Sequence, residues 1–129
     1  MRVPRRLRGT ALALLLAATG GAAQASDAET QREGRIAFQV CKACHHFVRA
    51  KRKSGPHLVG LIGRPVAADK IYPYSDALRS LGGIWTEERL AAFLNDPAAF
   101  APGNRMAFDG YRDIATARAV VAYIARIGG

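Results

Sequence analysis

Two cysteines and a histidine stand together in the run Cys41-Lys42-Ala43-Cys44-His45. This C-x-x-C-H pattern is the attachment signal for a c-type haem. The two thiols add across the two vinyl groups of the porphyrin. The histidine after the second thiol then lies under the iron, where its neutral imidazole can bind as the proximal ligand. The motif therefore predicts one covalently bound haem, attached at Cys41 and Cys44 and ligated by His45.

Two other kinds of site share the C-x-x-C spacing. A redox-active dithiol has this pattern, but it belongs to a βαβ setting and needs no histidine. A zinc site requires a third and a fourth ligand at metal-binding spacing. The chain has only two cysteines, and its other histidines, His46 and His57, stand at no zinc-site spacing. Haem attachment is therefore favoured over both alternatives.

The first 25 residues have the composition of a secretory signal peptide. They begin with four arginines, continue with an apolar run over residues 11–18, and reach a small-residue cleavage site at Ala23-Gln24-Ala25. An uncleaved membrane anchor is the less favoured alternative, because the run is shorter than the roughly 20 residues that span a bilayer. We predict cleavage after Ala25, export to the periplasm, and one folded domain over residues 26–129.

The charge balance of the mature chain is mildly basic. The whole chain has 19 lysines and arginines and 10 acidic residues. Removal of the signal peptide takes away four arginines and no acid, which leaves 15 basic against 10 acidic residues and a net charge of +5. Such a domain suits an acidic protein partner or an anionic surface, whereas no nucleic-acid motif is present. No paired carboxylates or nucleophile-and-base constellation indicate an enzyme.

Hydrophobic periodicity predicts helices and no strands. Gly34, Ala37, Phe38 and Cys41 share one face of a first helix, which ends in the haem motif. Residues 46–74 lack periodicity and are expected to form long loops around the haem, which supplies the core that they would otherwise lack. Further helical segments are predicted at residues 75–81, 86–96, 96–100 and 113–127. The predicted fold is all-α, in a single domain.

In the order and spacing of its motifs, the mature chain resembles the class I cytochromes c of the mitochondrial and bacterial c2 type. The resemblance covers nearly all of the mature chain, and it implies that the N- and C-terminal helices cross where Gly34 and Phe38 meet Val120 and Tyr123. Loops would wrap around one covalent haem. Beyond these residues, the resemblance rests on Cys41–His45, Gly55-Pro56-His57-Leu58, Gly60-Leu61-Ile62-Gly63-Arg64, Tyr74-Ser75-Asp76-Ala77, Trp85, Asn95-Asp96-Pro97 and residues 102–108.

The resemblance also implies roles for individual residues. Met106 matches the methionine that closes the sixth position of the iron and raises its reduction potential; the alternative is an ordinary core methionine. The Pro56 carbonyl matches the acceptor of a hydrogen bond from the second ring nitrogen of His45. Arg64, Tyr74 and Trp85 match the residues that hold the haem propionates. For Tyr74 and Trp85, the alternative is an ordinary aromatic residue of the core.

Several residues depart from the family pattern. Phe93 replaces a tyrosine near the sulfur, and Leu78 replaces an asparagine, so the pocket is expected to hold less buried water. Asn104 stands for the threonine of Pro-Gly-Thr. His57 replaces a commoner asparagine, and His46 extends the haem motif. Both histidines are expected to be surface residues rather than rival ligands.

The resemblance implies a soluble, monomeric periplasmic one-electron carrier that is not an enzyme and has no stable membrane anchor. Its partners would be acidic redox proteins, with a reductase or dehydrogenase as donor and an oxidase or similar acceptor. Two alternatives stay open: a cytochrome subunit permanently docked to a dehydrogenase, and a ligand-binding or peroxidase-like haem protein. A group of cations is expected to form the docking surface around the haem edge. These are Lys42, Arg49, Lys51, Arg52, Lys53 and Arg105. The alternative is that they are only a solvated charged face.

Overall fold

Helices form the framework of residues 20–128, the part of the chain that the computed structural model describes. In chain order they are α1 (Gly20–Ala37), a 3-10 helix (Phe38–Ala43), α2 (Asp76–Leu81), α3 (Glu87–Asn95), α4 (Pro97–Phe100) and α5 (Ile114–Ile127). These residues contain no strand, only an isolated antiparallel bridge between Pro65 and Ile84. The all-α prediction is therefore confirmed. The first 19 residues of the predicted signal peptide lie outside the described residues.

None of the helices within residues 20–128 has the length and apolar character needed to cross a membrane.

The two terminal helices cross at a glycine. A Cβ atom added to Gly34 would lie 2.1 Å from the carbonyl oxygen of Ala119 and 2.9 Å from the Cβ of Tyr123, so only glycine permits this backbone approach. One turn later, the fully buried Phe38 packs edge-on against Tyr123, with 5.4 Å between the ring centroids. The structure thus contains the crossing of α1 and α5 that the sequence predicts, and the haem motif follows directly from it.

Polar side chains begin the shorter helices at the expected residues. Ser75 Oγ accepts the hydrogen bond of Leu78 N at 3.2 Å, and Thr86 Oγ1 accepts that of Arg89 N at 3.1 Å. The Arg89 guanidinium in turn binds the chain between α2 and α3 by donating to the carbonyls of Leu81, Gly82 and Ile84. These bonds satisfy the last carbonyls of α2 and fix the segment that carries Trp85.

Residues 44–74 form an irregular segment that includes the predicted loops of residues 46–74, and backbone hydrogen bonds attach it to the rest of the chain. Gly60 N donates to the Gly128 carbonyl at the end of α5, at 3.1 Å. Trp85 N donates to the Arg64 carbonyl at 2.9 Å. Each bond joins the loop to a part of the chain that is distant in sequence. Together they fix the loop against the end of α5 and against the segment that carries Trp85.

Candidate haem site

A cavity of about 270 Å³ lies between the loop of residues 44–74 and helices α2, α3 and α5. The thiols of Cys41 and Cys44, the imidazole of His45 and the thioether of Met106 all line it. Most of the remaining lining is apolar, including Leu58, Leu61, Leu78, Leu90, Phe93, Leu94, Phe108 and Ile124. Two thiols, one imidazole and one thioether around an apolar space suit a covalently attached macrocycle with a central iron.

The end of the 3-10 helix brings the motif residues to one side of this cavity. The backbone N–H groups of Cys44 and His45 both donate to the Cys41 carbonyl, at 3.2 and 2.9 Å. Cys41 is half-buried, Cys44 is exposed, and both are free thiols. Burial raises the pKa of the Cys41 thiol. The tight turn therefore presents two protonatable sulfurs and one imidazole to the same space.

The imidazole of His45 is oriented by the backbone of the loop. Its Nδ1 lies 2.6 Å from the Pro56 carbonyl oxygen, which can only accept, so Nδ1 carries the proton and Nε2 keeps its lone pair. Burial lowers the pKa of His45, which favours the neutral ring that a metal ligand requires. A Cβ on Gly55 would lie 2.5 Å from His45 Cε1, so the glycine leaves room for the ring. The hydrogen bond predicted for Pro56 is present.

Asn104 holds the chain that carries Met106. Its Nδ2 donates to the carbonyls of Pro97 and Ala101, at 2.8 and 3.0 Å, and its Oδ1 accepts the hydrogen bond of Met106 N at 3.0 Å. One amide side chain thus links α4 to the methionine loop, a task that needs a donor and an acceptor together. This departure from the family threonine supplies both.

The guanidinium of Arg64 lies in the wall of the cavity with an unused donor. Nη1 donates to the Val59 carbonyl and Nη2 to the His57 carbonyl, both at 2.9 Å. Its Nε is buried and has no hydrogen-bond partner among residues 20–128. A buried N–H without a partner costs roughly 1–3 kcal/mol, and a carboxylate in the cavity would remove that cost. The residues present therefore fit a haem with its propionates at this wall.

The other two predicted propionate residues line the same cavity. Tyr74 and Trp85 are both buried, with 9% and 5% of their surface exposed. Burial raises the pKa of the Tyr74 hydroxyl, which therefore remains a donor at neutral pH. The Trp85 ring also packs against Phe93, with 5.3 Å between centroids. Each of these aromatics accordingly combines core packing with a position at the cavity wall.

The apolar side of the cavity contains the residues that depart from the family pattern. Phe93 and Leu78 line it together with Met106, and neither brings a polar group. The expectation that this side holds little water stays a prediction. His46 and His57 do not line the cavity, which agrees with their expected place outside the ligand set.

Two tyrosines contribute to the site without a sequence motif that points to them. Tyr72 lines the cavity and donates to the Ser54 carbonyl at 2.7 Å, which closes the loop on itself. Tyr111 donates to the Ala37 carbonyl at 2.8 Å, and its oxygen lies 3.9 Å from Cys41 Sγ. Burial raises the pKa of Tyr111 far above its usual value, so it remains a donor. Only contacts distant in sequence reveal either residue.

The six predicted docking cations make different contacts in the structure. Lys53 Nζ donates to the Lys42 carbonyl at 2.6 Å, and Lys42 Nζ lies 5.1 Å from the centroid of the Phe47 ring. Arg105 lines the cavity and donates to the Pro73 carbonyl. Arg52 instead forms an ion pair of 2.8 Å with Asp69, and both line a separate cleft beside His57. Arg49 and Lys51 are exposed.

Known proteins with similar sequences are cytochromes c. Cytochrome c2 of Agrobacterium tumefaciens is 40% identical over 96 residues, which cover 71% of this chain and 86% of the relative. A cytochrome c homolog of Rickettsia prowazekii is 44% identical over 78 residues. That match covers 60% of this chain but only 45% of the relative, so the chain spans less than half the length of that protein. No protein-family model matches the chain.

The fold also has a close counterpart among solved structures. Cytochrome cH from Methylobacterium extorquens superimposes with a TM-score of 0.67 at 37% sequence identity. The match covers 74% of this chain and 97% of the solved one. The crossing helices and the loops around the cavity thus belong to a known architecture.

Proposed function

The chain belongs to the class I cytochrome c family, whose members carry one covalently bound haem c, and we propose that it is a periplasmic one-electron carrier with His45 and Met106 as axial ligands. The supporting observation is that this imidazole and this thioether line the same cavity as the two thiols. A haem c bound there would supply reversible one-electron exchange at its iron. The N- and C-terminal helices and the loops would keep both ligands in place in either oxidation state.

The chain's own residues set the environment for that exchange. The Pro56 carbonyl fixes the ring of His45, and Asn104 fixes the backbone of Met106. Arg64 offers a buried donor to a propionate, and the buried Phe93 adds an apolar wall on the methionine side. Because these contacts preset the site, little has to move when an electron enters or leaves. This is the property that a carrier needs.

A direct test uses the wild-type protein purified with its haem. The haem colour should remain with the protein after denaturation and extraction with acidified acetone, because two thioether bonds hold it. The protein should take up one electron reversibly in a redox titration, and the native ferrous form should not bind carbon monoxide. Carbon monoxide binding under native conditions would favour the ligand-binding or peroxidase-like alternative. Purification without a bound partner would favour a free shuttle over a docked subunit.

Docking to acidic redox partners is the second part of the proposal, and it involves the exposed cations that follow the haem motif. Arg49 and Lys51 carry no ion pair within the described residues, in contrast to Arg52. Two adjacent positive charges speed encounter with an acidic surface, and this effect fades as salt screens them. The pair Arg49→Glu and Lys51→Glu should therefore slow reduction by the physiological donor about tenfold at low ionic strength.

The comparison needs a variant with the same change of net charge elsewhere. This control variant is Arg118→Glu with Arg126→Glu, which makes the same change of charge on the exposed surface of α5. Second-order rate constants should fall far less in this control, and the two variants should converge at high salt. Spectrum and reduction potential should stay near those of the wild type in both. Equal rates for the two variants at low salt would show that docking occurs on another face.

A further inference from the structure

His57 holds the guanidinium of Arg64 at two points. Its carbonyl oxygen accepts from Nη2 at 2.9 Å, and its ring Nδ1 lies 3.2 Å from Nη1. Arginine has donors only, so Nδ1 must be the unprotonated acceptor of this second bond. The ring bond therefore exists only while Nδ1 carries no proton.

Arg64 lies between two spaces in the protein. It lines the haem cavity, where its buried Nε has no partner among the described residues, and it also lines a separate outer cleft. His57 lines the outer cleft and does not line the haem cavity. The guanidinium therefore joins the side chain of His57 to the haem cavity by a direct hydrogen bond. A change at the ring of His57 reaches the haem side through Arg64.

Protonation of His57 would replace this bond by a repulsion. A proton on Nδ1 would place one donor against another at 3.2 Å and would set two positive charges side by side. Other charged groups border the ring as well: Asp69 favours the protonated form, Arg52 opposes it, and Lys70 lines the same cleft. Burial and then the charge of Arg64 lower the pKa of His57 from its ordinary value.

We propose that His57 is a positioning residue for Arg64, and that its protonation makes the reduction potential of this cytochrome depend on pH. With haem bound, reduction by the redox partner would add one electron and remove one positive charge from the site. A protonated His57 is then better tolerated, so up to one proton is taken up from water at Nδ1. By thermodynamic reciprocity, protonation of His57 must stabilise the ferrous form by the same free energy as reduction stabilises the protonated histidine. The inference rests on the proposed haem at this site.

The test compares midpoint potentials between about pH 5 and about pH 8, the range in which histidine titrates. The wild-type potential should fall as pH rises through the titration of His57 and should then level off. His57→Asn keeps an acceptor oxygen for Arg64 but cannot titrate, so its potential should stay nearly constant over this range. His46→Gln is the matched control, and its pH response should equal that of the wild type. A response that persists in His57→Asn would overturn the proposal.

Two further measurements separate the role of Arg64 and the status of the haem. Nuclear magnetic resonance should give a higher pKa for His57 in the ferrous than in the ferric protein, and equal values would overturn the coupling. Arg64→Gln should retain haem with a much smaller pH response; a full response in that variant would overturn the positioning role. Loss of covalent haem or of methionine ligation in the wild type would instead contradict the proposed function.

Discussion

Replacing Cys41 and Cys44 together by serine should leave almost no folded protein. The cavity of about 270 Å³ would lose its occupant, and at about 24 cal/mol per Å³ this corresponds to roughly 6 kcal/mol. A small domain has a total unfolding free energy of only about 5–15 kcal/mol. Because the loop of residues 44–74 has no helix of its own, its apolar side chains depend on the haem for a surface to pack against. We expect the double variant to lack cooperative thermal unfolding.

Single variants provide the control for this experiment. Cys41→Ser and Cys44→Ser each keep one thiol, so haem should remain attached through one bond, and the helical circular dichroism signal should persist. Haem staining of denatured protein on a gel measures attachment, and the thermal transition measures folding. A double variant that unfolds cooperatively without haem would show that helices α1, α3 and α5 form a sufficient core by themselves.

The helical framework was predictable from local patterns. Ser75 and Thr86 are N-cap residues that act on backbone within three positions, so the sequence alone indicates where α2 and α3 begin. Gly34 was predictable for a different reason, because a glycine on a buried helix face indicates a close crossing of backbones. The structure explains its necessity, since a Cβ there would lie 2.1 Å from the Ala119 carbonyl oxygen.

Contacts between distant loops were not predictable from the sequence. Tyr111 reaches Ala37 across 74 positions, and Tyr72 reaches Ser54 across 18, so no periodicity or short motif indicates them. The ion pair of Arg52 was not predictable for the same reason. Its partner Asp69 is 17 positions away, and their ion pair draws the side chain into the cleft beside His57. A position close to the haem motif in sequence does not determine where a long side chain points.

The site shows how the two kinds of information combine. The motif around His45 predicts the ligand and the family resemblance predicts its hydrogen bond to Pro56, and the structure shows that Nδ1 is the nitrogen that makes this bond. Likewise, the sequence marks Asn104 as a departure from the family, and the structure shows that its amide donates two hydrogen bonds and accepts a third. A polar side chain that replaces threonine here does more than preserve the loop, because it also ties the loop to α4.

Met106→Ala should open the sixth coordination position without unfolding the protein. The neighbouring backbone is held by Asn104, which binds α4 as well as Met106 N, so truncation of the side chain leaves the loop anchored. The ferrous variant should bind carbon monoxide readily, whereas the wild type should not. Its ferric form should lose the absorption band of iron–thioether bonding, and its potential should fall, because a neutral thioether favours ferrous iron.

A histidine at the same position separates ligation from the potential. Met106→His should keep the iron six-coordinate and therefore exclude carbon monoxide, yet its potential should also fall, because a second imidazole favours ferric iron more than a thioether does. Ala98→Ser, at an exposed residue of α4 that does not line the cavity, should leave spectrum, potential and ligand binding unchanged. If the wild type lacked the thioether band and His57→Ala changed its spectrum, Met106 would not be the ligand. His57 would then be the sixth ligand, and its ring could not accept the hydrogen bond from Arg64 in the haem protein.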